Sequence, residues 1–121
     1  NIVLDETGGP NHQNNMCSAP IIADTQNDRL LYQSSYYYIG HFSKFIRPGA
    51  LRLGIGTSNP DIDAVSFANL DGSIITVILN TKDRDHTVRI RCQTQETVLA
   101  LPAHSIATAV FTPQSDTTKN Q

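Results

Sequence analysis

The sequence predicts a mainly β protein, in which an antiparallel β-sandwich follows one strand–loop–helix unit. A short apolar run opens the chain, and a helical spacing of apolar residues then ends at Arg47-Pro48-Gly49. From Ala50 onward the apolar positions alternate with polar ones, as in strands with one wet face. The change of period near Ala50 therefore separates the first unit from the sandwich.

The opening run, Ile2, Val3 and Leu4, is predicted to be a short buried strand that ends in carboxylates. Because this run starts at once and without a preceding Met, we expect the chain to be part of a longer one. Residues 7–28 are then predicted to form a loop, with Gly8-Gly9-Pro10-Asn11 as its clearest turn signal. We expect a loop of this length to be functional.

The helix is predicted to begin after Asp28 or at Ser34/Ser35, since each of these residues is a possible N-cap. Its proposed apolar positions recur at intervals of three, four and seven residues and therefore share one face. These positions are Leu31, Tyr38, Phe42 and Phe45.

Six strands are predicted after the helix, and Leu70-Asp71-Gly72-Ser73 is predicted to form a type I′ hairpin turn. Residues 74–79 are apolar on both faces except at Thr76, which is typical of a central strand. The remaining runs are Leu51 to Ile55, Val65 to Phe67, Val88 to Cys92, Thr97 to Leu101 and Ile106 to Phe111. The chain thus divides into residues 1–47, the sandwich at 48–112 and a polar tail at 113–121.

Composition excludes several classes of partner. Nine basic and eleven acidic residues leave a net charge of −2, which gives no electrostatic basis for binding nucleic acid. No apolar run approaches the ~20 residues that span a bilayer, so no membrane span is predicted. Cys17 and Cys92 fit neither a zinc spacing nor a redox pair; we expect buried or half-buried thiols, and a disulfide stays open.

The titratable residues predict no catalytic group, metal site or cofactor site within this chain. The chain has two glutamates, Glu6 and Glu96, and no spacing brings them together as the carboxyl pair of a glycosidase. The four histidines lack metal-ligand spacing, and no Gly-rich phosphate loop is present. The aspartates at 61, 63, 71, 83 and 85 are expected to cap turns or face solvent.

The polar loop is the candidate binding site. Asn11, His12, Gln13, Asn14 and Asn15 place five hydrogen-bonding side chains in a row, and this inventory suits sugar hydroxyls. A solvated loop built of Asx turns is the alternative, which composition alone favours.

Two runs carry a family resemblance. The first run is Asn1-Ile2-Val3-Leu4-Asp5-Glu6-Thr7-Gly8-Gly9-Pro10-Asn11, and the second is Tyr38-Ile39-Gly40-His41-Phe42-Ser43-Lys44-Phe45-Ile46. Between them lie Asn15 and the segment Ser18-Ala19-Pro20-Ile21-Ile22. Together they resemble the C-terminal portion of glycoside hydrolase family 30, which includes lysosomal glucosylceramidases and microbial β-1,6-glucanases. The later runs Asp61-Ile62-Asp63-Ala64-Val65, Leu70-Asp71-Gly72-Ser73 and Val77-Ile78-Leu79-Asn80 are similar to the sandwich strands of that family.

The resemblance implies that residues 1–47 are the last β/α unit of a (β/α)8 barrel. The eighth strand would be residues 2–4, and the loop after it would reach the active site. Asn15 matches the asparagine of the family that contacts the sugar beside the scissile bond, and His12 and Asn11 would be further substrate-binding residues. His12 stands where the animal enzymes have tryptophan, which favours a glucan over ceramide.

The family further implies a retaining β-glycosidase that acts on β-glucosides or β-1,6-glucans without metal or cofactor. Both catalytic glutamates would lie upstream, in the remaining barrel part of the same enzyme, so this segment alone is predicted to be inactive. The expected location is secreted or otherwise extracytoplasmic.

Two other functions stay open. The chain could be a sandwich that binds carbohydrate without cleaving it, although the sequence has no Trp and residues from Ala50 onward contain no Tyr. It could also brace a barrel, with no contact between its loop and the substrate.

Overall fold

A computed structural model describes residues 1–113, and the predicted tail from Gln114 onward lies outside the described residues. The described part forms two compact units, residues 1–40 and the residues from His41 onward. Its nine strands are β1 (Val3–Asp5), β2 (Ile21–Asp24), β3 (Arg29–Tyr32), β4 (Leu51–Leu53), β5 (Ile62–Ala68), β6 (Ile74–Asn80), β7 (His86–Cys92), β8 (Gln95–Leu101) and β9 (Ser105–Phe111). One helix, α1 (Ser34–Ser43), and a 3-10 turn (Asn11–Gln13) complete the elements.

The first unit contains a three-stranded sheet of order β1-β2-β3. β1 pairs with β2 in parallel, from Val3↔Ile21 to Asp5↔Ala23, and β2 pairs with β3 antiparallel. Ile2 and Val3, at the start of β1, stay 59% and 50% exposed, and Leu4 is half-buried. The prediction that the opening strand is buried is therefore wrong within this unit.

Two further sequence predictions are wrong in this unit. The segment predicted as loop over residues 7–28 contains β2, and Leu31 lies on β3 instead of on the helix. Ile22 pairs with Leu4 of β1 and with Leu31 of β3, and this sheet pairing overrides the helical spacing of Leu31. Of the two predicted starts, the structure selects Ser34, where the Tyr36 amide donates to the Gln33 carbonyl at 3.0 Å.

The second unit is the predicted antiparallel sandwich of six strands. One sheet has the order β4-β5-β6-β9, and the other is the β7-β8 ribbon. The core joins both sheets through Ile62, Ile78 and Leu101, with Val88, Ile90 and Leu99 of the ribbon packed against them. β6 lies between two partners and is mostly buried, so the prediction of a central strand is confirmed.

The hairpin between β5 and β6 differs from the predicted type I′ turn. Only Gly72 has a positive φ, +81°, and the Gly72 amide donates to the Asn69 carbonyl at 3.0 Å. This geometry belongs to a three-residue loop that ends in a glycine bulge. The Asp71 carboxylate stabilises it by accepting hydrogen bonds from the Ser73 amide at 2.9 Å and the Ser73 hydroxyl at 2.6 Å.

Two buried asparagines fix loops of the second unit. Asn69 accepts a hydrogen bond from the Arg47 amide at 3.0 Å and donates to the Phe45 carbonyl at 2.9 Å. Asn80 is 0% exposed and donates to the carbonyls of Arg84, Leu101 and Pro102 at 2.8–3.2 Å. Backbone groups that β pairing leaves without partners are thus satisfied by side-chain amides.

Substitution of Asn80 tests this loop. Asn80→Ala should lower the free energy of unfolding by about 3 kcal/mol, because three backbone carbonyls lose the donor that the fully buried Asn80 side chain supplies. Urea denaturation of the purified protein measures the change. Thr81→Ala, at the exposed neighbouring position, is the matched control and should change stability by less than about 0.5 kcal/mol. Equal effects of the two substitutions would contradict the assignment.

Acid titration tests the hairpin. The Ser73 hydroxyl and amide lower the pKa of Asp71 below its ordinary value of 3.8. A lowered folded-state pKa stabilises the protein above pH 3.8 and loses that effect as pH falls through the folded value. Asp71→Asn should therefore be less stable than the parent at pH 7, and the difference should shrink below pH 4 in thermal melts. A difference that is constant with pH would contradict this role.

Candidate functional site

The candidate site is the polar loop that leaves the C-terminal end of β1. At its start the Asp5 side chain accepts hydrogen bonds from the Thr7 amide at 3.0 Å and the Thr7 hydroxyl at 2.5 Å. The Gly8 amide donates to the Asp5 carbonyl at 3.1 Å. These bonds turn the chain sharply away from the strand.

The loop is closed at its neck by an antiparallel bridge between Gly9 and Cys17. Gly8, beside the bridge, has φ +77°, and a Cβ there would lie 3.0 Å from the Cys17 carbonyl oxygen. The position thus requires glycine for both its backbone conformation and its close packing. The Gly9-Pro10 peptide is cis, and the Gln13 amide donates to the Pro10 carbonyl at 3.0 Å within the 3-10 turn.

The closed loop contains the three predicted substrate-binding residues. Asn11 begins the 3-10 turn, His12 follows within it, and Asn15 lies two residues before the neck residue Cys17. His12 and Asn15 are exposed. The Cys17 thiol donates to Asn15 Oδ1 at 3.1 Å, which orients the amide and directs its Nδ2 donors elsewhere.

Sequence reasoning missed a contact between the loop and the β2–β3 turn. Glu6 Oε2 accepts from the Thr25 amide at 3.1 Å, and Glu6 Oε1 accepts from the Thr25 hydroxyl at 2.7 Å. These hydrogen bonds lower the pKa of Glu6, so the side chain is ionised at neutral pH. The partners are 19 positions apart, and only the parallel pairing of β1 with β2 brings them together.

Asp24 organises the same turn. Its carboxylate is 9% exposed and accepts hydrogen bonds from the Asn27 amide side chain at 2.9 and 3.0 Å and from Arg29 Nε at 2.7 Å. The Asn27 hydrogen bond, followed by the Arg29 hydrogen bond, lowers the pKa of Asp24. Neither Glu6 nor Asp24 therefore has the raised pKa that a glycosidase proton donor needs.

Several acidic residues described in the second unit form structural hydrogen bonds or ion pairs. Glu96 accepts hydrogen bonds from Arg89 at 2.9 Å and Arg91 at 3.1 Å across the β7–β8 ribbon. Hydrogen bonding by Arg84, with a contribution from Lys82, lowers the pKa of Asp61.

Two other aspartates also have partners in this unit. Asp83 pairs with His104 Nε2 at 2.6 Å, and Asp85 accepts from the Ala103 amide at 2.9 Å.

The histidines and cysteines are dispersed. In residues 1–113 no three His, Cys, Asp or Glu side chains form a group that could hold a metal ion. His41 Nδ1 lies 2.9 Å from the Thr108 hydroxyl, and both cysteines are free thiols. Cys92 is half-buried as expected, but Cys17 is exposed on the loop, contrary to the prediction. None of the helices described is long and apolar enough to span a bilayer.

Models of known families match nearly the whole described chain. The model of the glycosyl hydrolase family 30 TIM-barrel domain matches residues 1–46, and that of the family 30 beta sandwich domain matches residues 49–109.

Curated relatives carry glucosylceramidase names. Lysosomal acid glucosylceramidase of Mus musculus is 37% identical over 86 residues, which are 70% of this chain and 17% of that protein. Putative glucosylceramidase 3 of Caenorhabditis elegans is 35% identical over 92% of this chain and 22% of its own length. The chain therefore spans about a fifth of the curated relatives it matches.

Solved structures share the fold. SrfJ from Salmonella typhimurium superposes with a TM-score of 0.86 and 35% identity, over 93% of this chain and 25% of SrfJ. The endo-beta1,6-glucanase BT3312 superposes with a TM-score of 0.85 and 23% identity, over 94% of this chain and 26% of that one; at this identity the likeness concerns the fold alone. With residues 1–46 matched to the barrel domain and residues 49–109 matched to the sandwich domain, the chain belongs to glycoside hydrolase family 30.

Proposed function

We propose that the protein to which this chain belongs is a retaining β-glycosidase that hydrolyses β-glucosides, of the glucosylceramide or β-1,6-glucan type. The observation that carries the proposal is the closed polar loop at the C-terminal end of β1, within the segment matched to the TIM-barrel domain. Active sites of such barrels are built from the loops that follow the strands. The glucosylceramidase relatives support the reaction class.

In this function residues 1–47 are the last β/α unit of the barrel, and residues 48–112 are the side sandwich. Asn15 would donate hydrogen bonds to a sugar hydroxyl through Nδ2, because its Oδ1 already accepts from the Cys17 thiol. His12 and Asn11 would line the same subsite. A neutral amide suits this task, since it binds hydroxyl groups without introducing a charge beside the reacting bond.

The reaction itself needs two carboxyl groups about 5–5.5 Å apart, one as nucleophile and one as acid and base. The carboxylates beside the loop are bound to their own neighbours, Glu6 to Thr25 and Asp24 to Asn27 and Arg29. We therefore assign the catalytic pair to the remaining barrel part of the same enzyme. This chemistry uses carboxyl groups alone and requires no metal or cofactor.

The remaining barrel part is also the proposed partner for the first unit. Many of its apolar side chains are exposed, which is unusual for an isolated soluble surface. They are Ile2, Val3, Met16, Leu30, Leu31, Tyr32, Tyr36, Tyr37, Tyr38 and Ile39, each 40–81% exposed except Leu31 at 37%. Barrel strands and helices packed on these residues would remove them from water.

His12 bears on the substrate. An imidazole in place of the tryptophan of the animal enzymes offers hydrogen bonds and a smaller apolar face. This favours a glucan over a lipid-linked glucoside, and a secreted or otherwise extracytoplasmic location agrees with such a substrate.

The sandwich offers little to a carbohydrate-binding function of its own. Binding modules stack sugars on exposed aromatic rings, and the aromatic residues of the chain from Ala50 onward are Phe67 and Phe111. Phe111 is 7% exposed and Phe67 is half-buried. The structure therefore disfavours this alternative.

The first test is the activity of the 121-residue chain. Purified alone, it should not hydrolyse an aryl β-glucoside above the buffer rate, because residues 1–113 present no opposed carboxyl pair. The full-length enzyme, assayed at the same molar concentration, is the positive control. Turnover by the isolated chain that matches the full-length enzyme would refute the division of labour.

The second test concerns Asn15. In the full-length enzyme Asn15→Ala should lower kcat/KM for an aryl β-glucoside about tenfold, the value of one hydrogen bond to substrate. Gln26→Ala removes an exposed amide from the β2–β3 turn and should leave kcat/KM unchanged. An unchanged kcat/KM for Asn15→Ala would show that the loop only braces the barrel.

A further inference from the structure

We propose that Glu6 and Thr25 form a clamp that positions the polar loop and, through it, the Asn15 amide; the inference rests on the proposed function. The Glu6–Thr25 clamp consists of the two hydrogen bonds between the Glu6 carboxylate and the amide and hydroxyl of Thr25. Neither residue would touch the substrate. Both would be positioning residues.

The clamp lies where the backbone ladder stops. The last paired residues of β1 and β2 are Asp5 and Ala23, and the backbone pairing of the two strands stops there. Glu6 Oε1 and Oε2 are bonded to the Thr25 hydroxyl at 2.7 Å and the Thr25 amide at 3.1 Å. The side chain of Glu6 thus continues the attachment of β1 to β2 after the backbone pairing has ended.

Thr25 is a fixed anchor because the turn that carries it has its own network. Asp24 is buried, accepts from the Asn27 backbone amide at 3.2 Å and also binds the Asn27 side chain and Arg29 Nε. Three groups of the turn therefore converge on one carboxylate. A clamp to such a turn restrains the loop more than a clamp to a solvated turn would.

The position of Glu6 is transmitted to Asn15 by the neck of the loop. Gly8 packs so closely that an added Cβ would lie 3.0 Å from the Cys17 carbonyl, and Gly9 pairs with Cys17. Cys17 in turn donates its thiol to Asn15 at 3.1 Å. A shift of the chain at Glu6 would therefore move the neck and the amide together.

Charge strengthens the clamp. A carboxylate that accepts hydrogen bonds holds them more strongly than a neutral group does, and these bonds lower the pKa of Glu6. Glu6 therefore stays ionised to a lower pH than an ordinary glutamate does. Both oxygens are occupied, which leaves the group as a structural acceptor.

The test is a pair of double-mutant cycles in the full-length enzyme, assayed with an aryl β-glucoside. Glu6→Ala and Thr25→Val should each lower kcat/KM about fivefold. The kcat/KM of the double variant should not fall below that of the less active single variant. Thr25→Ser retains both donors and should restore the parent value. Gln26→Ala, next to Thr25 but outside the clamp, should be neutral.

The second cycle separates positioning from general destabilisation. In the Asn15→Ala background Glu6→Ala should cost nothing further, because the amide that it positions is gone. A fivefold loss that persists in that background would overturn the proposal. The proposal would also be overturned if Thr25→Val had the activity of the parent while Asn15→Ala was impaired. If Glu6→Ala does not fold, Glu6→Gln replaces it in the first cycle and Thr25→Val replaces it in the second.

The two proposals fail differently. If Asn15→Ala lowers kcat/KM but the clamp variants do not, the clamp alone is wrong and the substrate role of the loop stands. If Asn15→Ala has no effect, the role of the loop is wrong, and the clamp is overturned with it.

Discussion

The candidate site depends on the parallel pairing of β1 with β2. Two parallel strands cannot be joined by a tight turn. The connection leaves the C-terminal end of the first strand and must run back to the opposite end of the sheet, where the second strand begins. Such crossovers need a dozen or more residues. Here residues 6–20 make that crossover without a helix of the usual kind. The length of the polar loop therefore follows from strand direction, and its polar composition fits a connection that runs over the surface.

The sandwich strands were predictable because the pattern that marks each of them lies within a few consecutive residues. A strand with one wet face alternates visibly, and β6 is recognised by its uninterrupted apolar residues. β2 and β3 were missed because they are four residues each, and β2 depends on a partner strand 18 positions away. Leu31 fits a helical spacing and a strand equally well, so only the pairing of Ile22 with Leu31 decides its place.

The site was predictable in its residues but not in its geometry. An unbroken row of amides marked the loop, and family resemblance selected Asn15 within it. The contacts that hold the loop, Glu6 with Thr25 and Gly9 with Cys17, join residues that no spacing rule connects. The same holds for the β5–β6 turn, where Asp-Gly suits two turn types and the Ser73 hydrogen bonds to Asp71 accompany the glycine-bulge form.

Different forces stabilise the interior of each unit. The second has an apolar core between two sheets, whereas buried side chains of the first unit are Ala19 and Asp24. Hydrogen bonds to Asp5, Glu6 and Asp24 therefore fix the segments of the first unit, whereas apolar packing fixes the strands of the second. Such bonds fix direction well, but each adds little net stability because water competes for the same groups. A loop held in this way is accurately placed yet weakly stabilised. Its order should therefore rise when the remaining barrel covers the exposed apolar side chains of the first unit.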